Sequence, residues 1–189
     1  GFTHLQILGE KGAGKTTRLL ALQAHLDAQG KRTAYEYLPE GQNFFVTRTS
    51  ELDYFILDEV QRLSSPQRRR LAGIAGAQPM LRRFFTRGKP SVPMLCLVLG
   101  SHPDLAPYFA RLGLPLHTLV IQNSASHLQQ VVQRRLAYFS LSQEPPVILE
   151  ELAAEWLYAH FNGDYRAVLD SLYDIFQQAA DPKNPKGFA

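Results

Sequence analysis

Residues 9 to 16 read GEKGAGKT, a complete G-x-x-x-x-G-K-[ST] pattern between an apolar run, His4 to Leu8, and a helix-patterned run, Thr16 to Gln29. No other stretch constrains the chain so tightly, because this pattern works only where a strand ends, the backbone turns sharply and a helix begins. Gly9, Gly12 and Gly14 let the backbone bend until successive N–H groups converge on one point, and the helix N-terminus adds a positive partial charge there. Such a loop binds phosphate. The expected cradle is Gly9, Glu10, Lys11, Gly12, Ala13, Gly14, Lys15, Thr16 and Thr17, with Lys15 reaching the β- and γ-phosphates and the Thr16 hydroxyl holding Mg²⁺. Leu19, Leu22 and Leu26 give the following helix one apolar stripe.

The remainder of the chain extends this beginning into a sheet. Thr33 to Leu38 (TAYEYL), Tyr54 to Leu57 (YFIL), Met94 to Leu99 and Thr118 to Ile121 read as four further strands; YFIL is apolar throughout, as in a parallel sheet covered on both faces. Helical patterns between them complete a βα-repeating nucleotide-binding core. After Gln122 the character changes to three helical patterns, Ser126 to Phe139, Val147 to His160 and Tyr165 to Ala179. The expected division is therefore a core over residues 1–122, a helical lid over 123–181 and a frayed tail over 182–189.

Composition narrows the class rather than the function. No stretch approaches the roughly 20 apolar residues of a membrane span, the N-terminus lacks the regions of a signal peptide, and Cys96 is the only cysteine. A lone cysteine excludes an intramolecular disulfide and a cysteine-rich metal site, so a cytoplasmic protein is expected. Net charge is only +3, yet eight basic residues and no acidic one fall between Gln61 and Lys89: Arg62, Arg68, Arg69, Arg70, Arg82, Arg83, Arg87 and Lys89. A basic face of this kind suits an acidic partner, double-stranded DNA first; a solvated helix face or a contact with a protein or a second copy accounts equally for the same residues.

The strand YFIL runs directly into Asp58 and Glu59, which delivers two carboxylates to the carboxyl end of a strand beside the phosphate loop. Asp58 is expected to bind Mg²⁺ and Glu59 to orient and polarise an attacking water. The next strand ends in Gly100, Ser101 and His102. Ser101 is preferred over His102 as the residue that senses the γ-phosphate, because a hydroxyl donates and accepts without a pH-dependent charge; a structural turn helped by Pro103 explains these residues as well. Near the end, Asn162 to Arg166 (NGDYR) make a turn followed by a helix, with Arg166 in its first turn. A cation there opposes the helix dipole unless an anion faces it, and a bound γ-phosphate is the candidate.

Taken together, GEKGAGKT, FILDEVQRL, LVLGSHPDL and NGDYR resemble the Walker A, Walker B, sensor 1 and sensor 2 segments of the AAA+ ATPases. The details look most like the compact branch of bacterial transposition-helper and secretion-accessory ATPases, near the replication-initiator group. The resemblance covers nearly the whole chain. It implies a five-stranded parallel sheet in the order 5-1-4-3-2 with a C-terminal helical lid, ATP and Mg²⁺ as ligands, and catalysis by Lys15, Glu59, Ser101 and Arg166. Two features depart from the family pattern: the arginine nearest the usual finger position is Arg111, out of its usual context, and the connection from the second strand to YFIL is too short for the customary helix. That connection carries Phe44 and Phe45, read either as buried against the sheet or as facing a polymer substrate. A small-molecule kinase and a non-hydrolysing nucleotide-dependent scaffold are the competing functions on the same core.

Overall fold

A computed structural model describes residues 4–85, 95–139 and 147–180. The apolar runs become β1 (His4–Leu8), β2 (Thr33–Tyr37), β3 (Tyr54–Asp58), β4 (Cys96–Ser101) and β5 (Leu116–Val120), interleaved with α1 (Lys15–Ala28), α2 (Ser65–Phe85) and α3 (Ala106–Arg111). Every neighbouring pair of strands is parallel, in the order β2-β3-β4-β1-β5. From the other edge this is 5-1-4-3-2, so the chain has the α/β sheet of P-loop ATPases.

Strand periodicity explains why the sheet is apolar on both sides. On one face Phe55, Leu57, Leu97 and Leu99 pack with Leu71 of α2 and Phe109 of α3; on the other Ile56, Ile7 and Val98 pack with Leu19 of α1. Consecutive residues thus serve opposite cores, and all six residues of β4 are buried. The lone cysteine is one of them, and burial pushes the Cys96 thiol up to about 11.

Residues 38–53 connect β2 to β3 without a helix, as their length predicts. Glu36 replaces what a helix would have supplied: its two carboxylate oxygens accept the backbone N–H groups of Val46 and Thr47 at 2.9 and 3.0 Å. Phe45 is buried and packs on Phe55 with ring centroids 5.7 Å apart, whereas Phe44 stays half exposed. Only one of the two aromatics belongs to the core.

Contacts divide the chain into two compact units, one holding the sheet up to Ile121 and the other running from Gln122; residues Glu10–Ala13 group with the second. The second unit consists of α4 (Ala125–Phe139), α5 (Glu151–His160) and α6 (Tyr165–Ala180) around Leu128, Val132, Leu157, Tyr165 and Val168. The expected helix from Val147 starts instead at Glu151, because the lead-in is extended and its Leu149 carbonyl accepts the Gln129 side chain at 2.8 Å. Asn162 and Gly163 take positive φ and close α5 by a bond from Gly163 N–H to Tyr158 O. The tail over 182–189 lies outside the described residues.

Candidate nucleotide-binding site

The carboxyl ends of β1, β3 and β4 lie side by side, where the strand order reverses and open α/β sheets collect their ligands. From β1 the chain enters the glycine-rich loop: Gly14 takes φ 82° and caps α1, and the next residue, Lys15, is almost fully buried. Its ammonium donates to Gly9 O at 2.9 Å and approaches His102 Nδ1 at 3.4 Å. The Thr16 hydroxyl donates to Asp58 Oδ2 at 2.6 Å. Hydroxyl and carboxylate are hard oxygen donors, and their proximity fits a Mg²⁺ that takes few protein ligands and completes its shell with water and phosphate oxygens. Among the described residues no cluster of three or more His, Cys, Asp or Glu offers an alternative metal site.

Asp58 is wholly buried and more firmly held than its place in YFILDE suggests. Besides Thr16 it accepts Tyr35 O–H at 3.2 Å and the Glu59 N–H at 2.9 Å. Burial and then the neighbouring carboxylate push the Tyr35 phenol above its ordinary range, which keeps it a donor. Sequence reasoning missed Tyr35, although strand alternation in TAYEY puts it on the α1 face. It missed Gly100 too. A Cβ there would stand 2.5 Å from Asp58 Oδ1 and 2.8 Å from Leu19 Cδ1, so the glycine is required by close approach, not by its backbone angles.

Glu59 adopts φ 61°, ψ 37°, a left-handed conformation that costs a non-glycine residue about 1 kcal/mol. The turn swings its side chain out of the strand direction and into three donors: Gln61 Nε2 at 2.6 Å, Arg62 Nη2 at 3.5 Å and His102 Nε2 at 3.2 Å. Arg62 also bonds Leu38 O and Tyr37 O–H, with its guanidinium over the Tyr37 ring. It is therefore committed to the site rather than to an open basic face.

Ser101 and His102 differ in their partners. Ser101 shares the sheet face of Leu99, opposite the α1 side on which Asp58 lies, and its buried hydroxyl donates to Pro103 O at 2.9 Å. His102, just past the strand end and freed from its alternation, bridges Lys15 and Glu59.

The second unit has its own arrangement around Glu10–Ala13. Gly12 takes φ 78°, and a Cβ on it would overlap the Asp164 carboxylate. Asp164 caps α6 by accepting the N–H groups of Arg166 and Ala167 at 3.0 and 3.2 Å. Arg166 is exposed in the first turn of that helix, and Glu10 and Lys11 are exposed in the loop.

Of the basic segment, Arg68 bonds Gln61 O at 2.6 Å and lies over Tyr108, Arg69 is exposed, and Arg70 is exposed with its guanidinium over Phe45. Arg82 and Arg83 fall on α2, but their side chains, like Arg87 and Lys89, lie outside the described residues. Arg111, the nearest counterpart of a finger, is exposed at the end of α3.

No family model matches the chain, and no curated protein matches it. Solved structures do. A DNA replication initiation factor is 17% identical with a TM-score of 0.61, over 93% of this chain and 56% of the other. The replication initiator DnaA bound to AMPPCP and single-stranded DNA is 16% identical with a TM-score of 0.57, over 95% and 60%. A P216G mutant of RuvB from Thermotoga maritima is 16% identical with a TM-score of 0.58, over 96% and 57%. The chain thus spans less than two thirds of the length of these proteins, and the likeness is that of an AAA+ P-loop ATPase fold. Among the described residues no helix is long and apolar enough to cross a membrane.

Proposed function

We propose that this chain is an AAA+-like ATPase that binds ATP with Mg²⁺, hydrolyses the γ-phosphate and uses the change of nucleotide to switch a partner interaction. The observation that carries this reading is the convergence of Lys15, Thr16, Asp58 and Glu59 at the carboxyl ends of β1 and β3. The glycine-rich backbone binds the phosphates, and Lys15 places a point charge on the β/γ bridge. Thr16 and Asp58 would hold Mg²⁺, whose charge would offset the negative charge on the phosphoryl oxygens. Glu59 orients the attacking water in line with the leaving oxygen and receives its proton. Arg166 reads the γ-phosphate from the turn that resembles sensor 2, and residues from Gln122 onward act as the lid. The DnaA structure supports the choice of nucleotide, since that protein is bound to AMPPCP.

The deciding experiment is ATP affinity in Lys15→Ala. The substitution removes the charge and leaves the loop backbone intact, so binding should be abolished; a folded variant with unchanged affinity would sink the assignment.

DNA is the partner we favour, since the resembled DnaA is bound to single-stranded DNA and the segment from Arg62 to Lys89 carries only positive charge. With Arg62 and Arg68 held inside the fold, the contact falls to Arg69, Arg70 and the arginines further along. Binding should weaken steeply between about 50 and 200 mM salt. Reversing Arg82 and Arg83 to Glu should flatten that slope; an unaltered slope would make a protein partner or a second copy of the chain the better reading.

A further inference from the structure

The imidazole of His102 stands between the two groups that the proposed reaction needs most. Nδ1 faces the Lys15 ammonium at 3.4 Å, and Nε2 faces Glu59 Oε1 at 3.2 Å. Only one form of the ring satisfies both. An ammonium can only donate, so Nδ1 must present its lone pair; a carboxylate can only accept, so Nε2 must carry the hydrogen. The opposite tautomer would set donor against donor at one end and lone pair against carboxylate at the other. A ring protonated on both nitrogens would keep Glu59 and repel Lys15. His102 in its neutral Nε2–H form therefore joins cation to anion across the site. The other oxygen of Glu59 is occupied by Gln61 and Arg62, so the carboxylate is bonded on both sides and poorly placed to accept a proton from water.

From this geometry we infer that His102 is a positioning residue that couples phosphate occupancy at Lys15 to the placement of Glu59. An arriving γ-phosphate draws the Lys15 ammonium away from Nδ1, the ring loses one of its two anchors, and the bond from Nε2 to Glu59 is left to reset the carboxylate toward water. The coupling rests on the ATPase reading above, but the bridge itself exists without nucleotide and is tested without it. It also explains why a histidine follows Ser101: the serine hydroxyl is spent on Pro103 O and faces the other core.

The bridge has two ends, and two substitutions separate them. In His102→Asn the amide sits near the Nδ1 position, so its oxygen still accepts from Lys15 while the bond to Glu59 is lost. In His102→Gln the longer amide donates from near the Nε2 position, so Glu59 is kept and Lys15 released. Because ATP binding must break the Lys15 bond, His102→Gln should tighten KM about 10-fold, the lower end of the worth of one hydrogen bond to a charged group, and retain most of kcat. His102→Asn should leave KM near that of the wild type and lower kcat about 10-fold or more. His102→Ala should do both. A residue with only a structural role would move the thermal midpoint and KM together, with no split between the variants.

The direct readout is ¹⁵N NMR of the full chain labelled at histidine. Without nucleotide, His102 should show an Nε2–H and a lone-pair Nδ1, and its Nδ1 signal should shift in Lys15→Ala and on adding AMPPCP with Mg²⁺ to the wild type. An Nδ1–H tautomer, or an Nδ1 signal unmoved by Lys15→Ala, would overturn the bridge whatever the activity. A shift in Lys15→Ala with no response to AMPPCP would keep the bridge, overturn the coupling, and point instead at the ATPase reading if calorimetry also finds no binding.

Discussion

The sheet unit and the helical unit close their interiors to different degrees. Around the sheet, strand alternation serves two cores at once, and Phe55, Leu57, Leu97, Leu99 and Phe109 have no exposed surface. In the helical unit five buried residues form the cluster among the described residues, while Leu152, Trp156 and Tyr173 remain 76%, 62% and 62% exposed. The polar groups differ in the same way. Asp58 accepts three hydrogen bonds and Glu59 meets three donors, whereas Arg166 stands on a helix start fixed by one cap, Asp164. The difference locates precision: chemistry that depends on tenths of an ångström belongs to the sheet, and the helices contribute groups whose placement is less determined within the unit.

That contrast is most easily broken with one leucine from each unit. Leu99→Ala should cost about 2–5 kcal/mol of stability by opening a cavity between β3, β4 and α3, whereas Leu152→Ala should stay within about 0.5 kcal/mol. Equal costs in chemical denaturation would erase the distinction. Gly100→Ala comes next. Its Cβ has only Asp58 Oδ1 and Leu19 Cδ1 to displace, so about 1–3 kcal/mol of overpacking is expected, accompanied by a weakened dependence of nucleotide binding on Mg²⁺. Retained Mg²⁺ dependence would mean that Asp58 can move without consequence. Asp164→Ala removes the cap of α6 and should cost about 1 kcal/mol, read as lower helicity and thermal midpoint.

A further expected effect is a pH dependence carried by β1. Burial lowers the pKa of His4, and its Nδ1 accepts the Leu97 N–H at 3.1 Å. The folded state thus holds the ring neutral while the unfolded chain protonates it near the ordinary 6.5. Its contribution is complete above that value and is lost as pH falls toward the folded pKa. Stability should fall by under about 2 kcal/mol from pH 7 to pH 5 through this group, and His4→Asn should flatten that part of the curve. A slope unchanged in the variant would assign the effect elsewhere.

What the sequence made legible follows the same divide between local and distant. GEKGAGKT, the succession of strands along the chain and the delivery of Asp58 and Glu59 are local matters of spacing and period, and each stands where those rules place it; the order of the strands within the sheet was implied by the family resemblance alone. The partners of those carboxylates come from elsewhere in the chain: Tyr35 from β2, Gly100 and His102 from β4 and its exit. Alternation could have found two of them. Counting by twos along β4 from Leu97 and Leu99 puts Ser101 on the α2 and α3 face and Gly100 against α1. The left-handed turn at Glu59 had no signal, since nothing in FILDEVQRL favours a positive φ at a glutamate. The basic segment was legible only as a count of charges, which does not tell open arginines from those held within the fold, such as Arg62 beside Glu59.

The central claim is that Glu59 activates water at a phosphate site built by Lys15, Thr16 and Asp58. Single-turnover hydrolysis of ATP with Mg²⁺, measured side by side on the wild type and Glu59→Gln, tests it most directly, because the amide keeps the shape and loses the base, together with one of the two oxygens that accept from Gln61, Arg62 and His102. The account predicts that Glu59→Gln binds ATP as the wild type does and cleaves it at least about 100-fold more slowly; cleavage at the wild-type rate would contradict it.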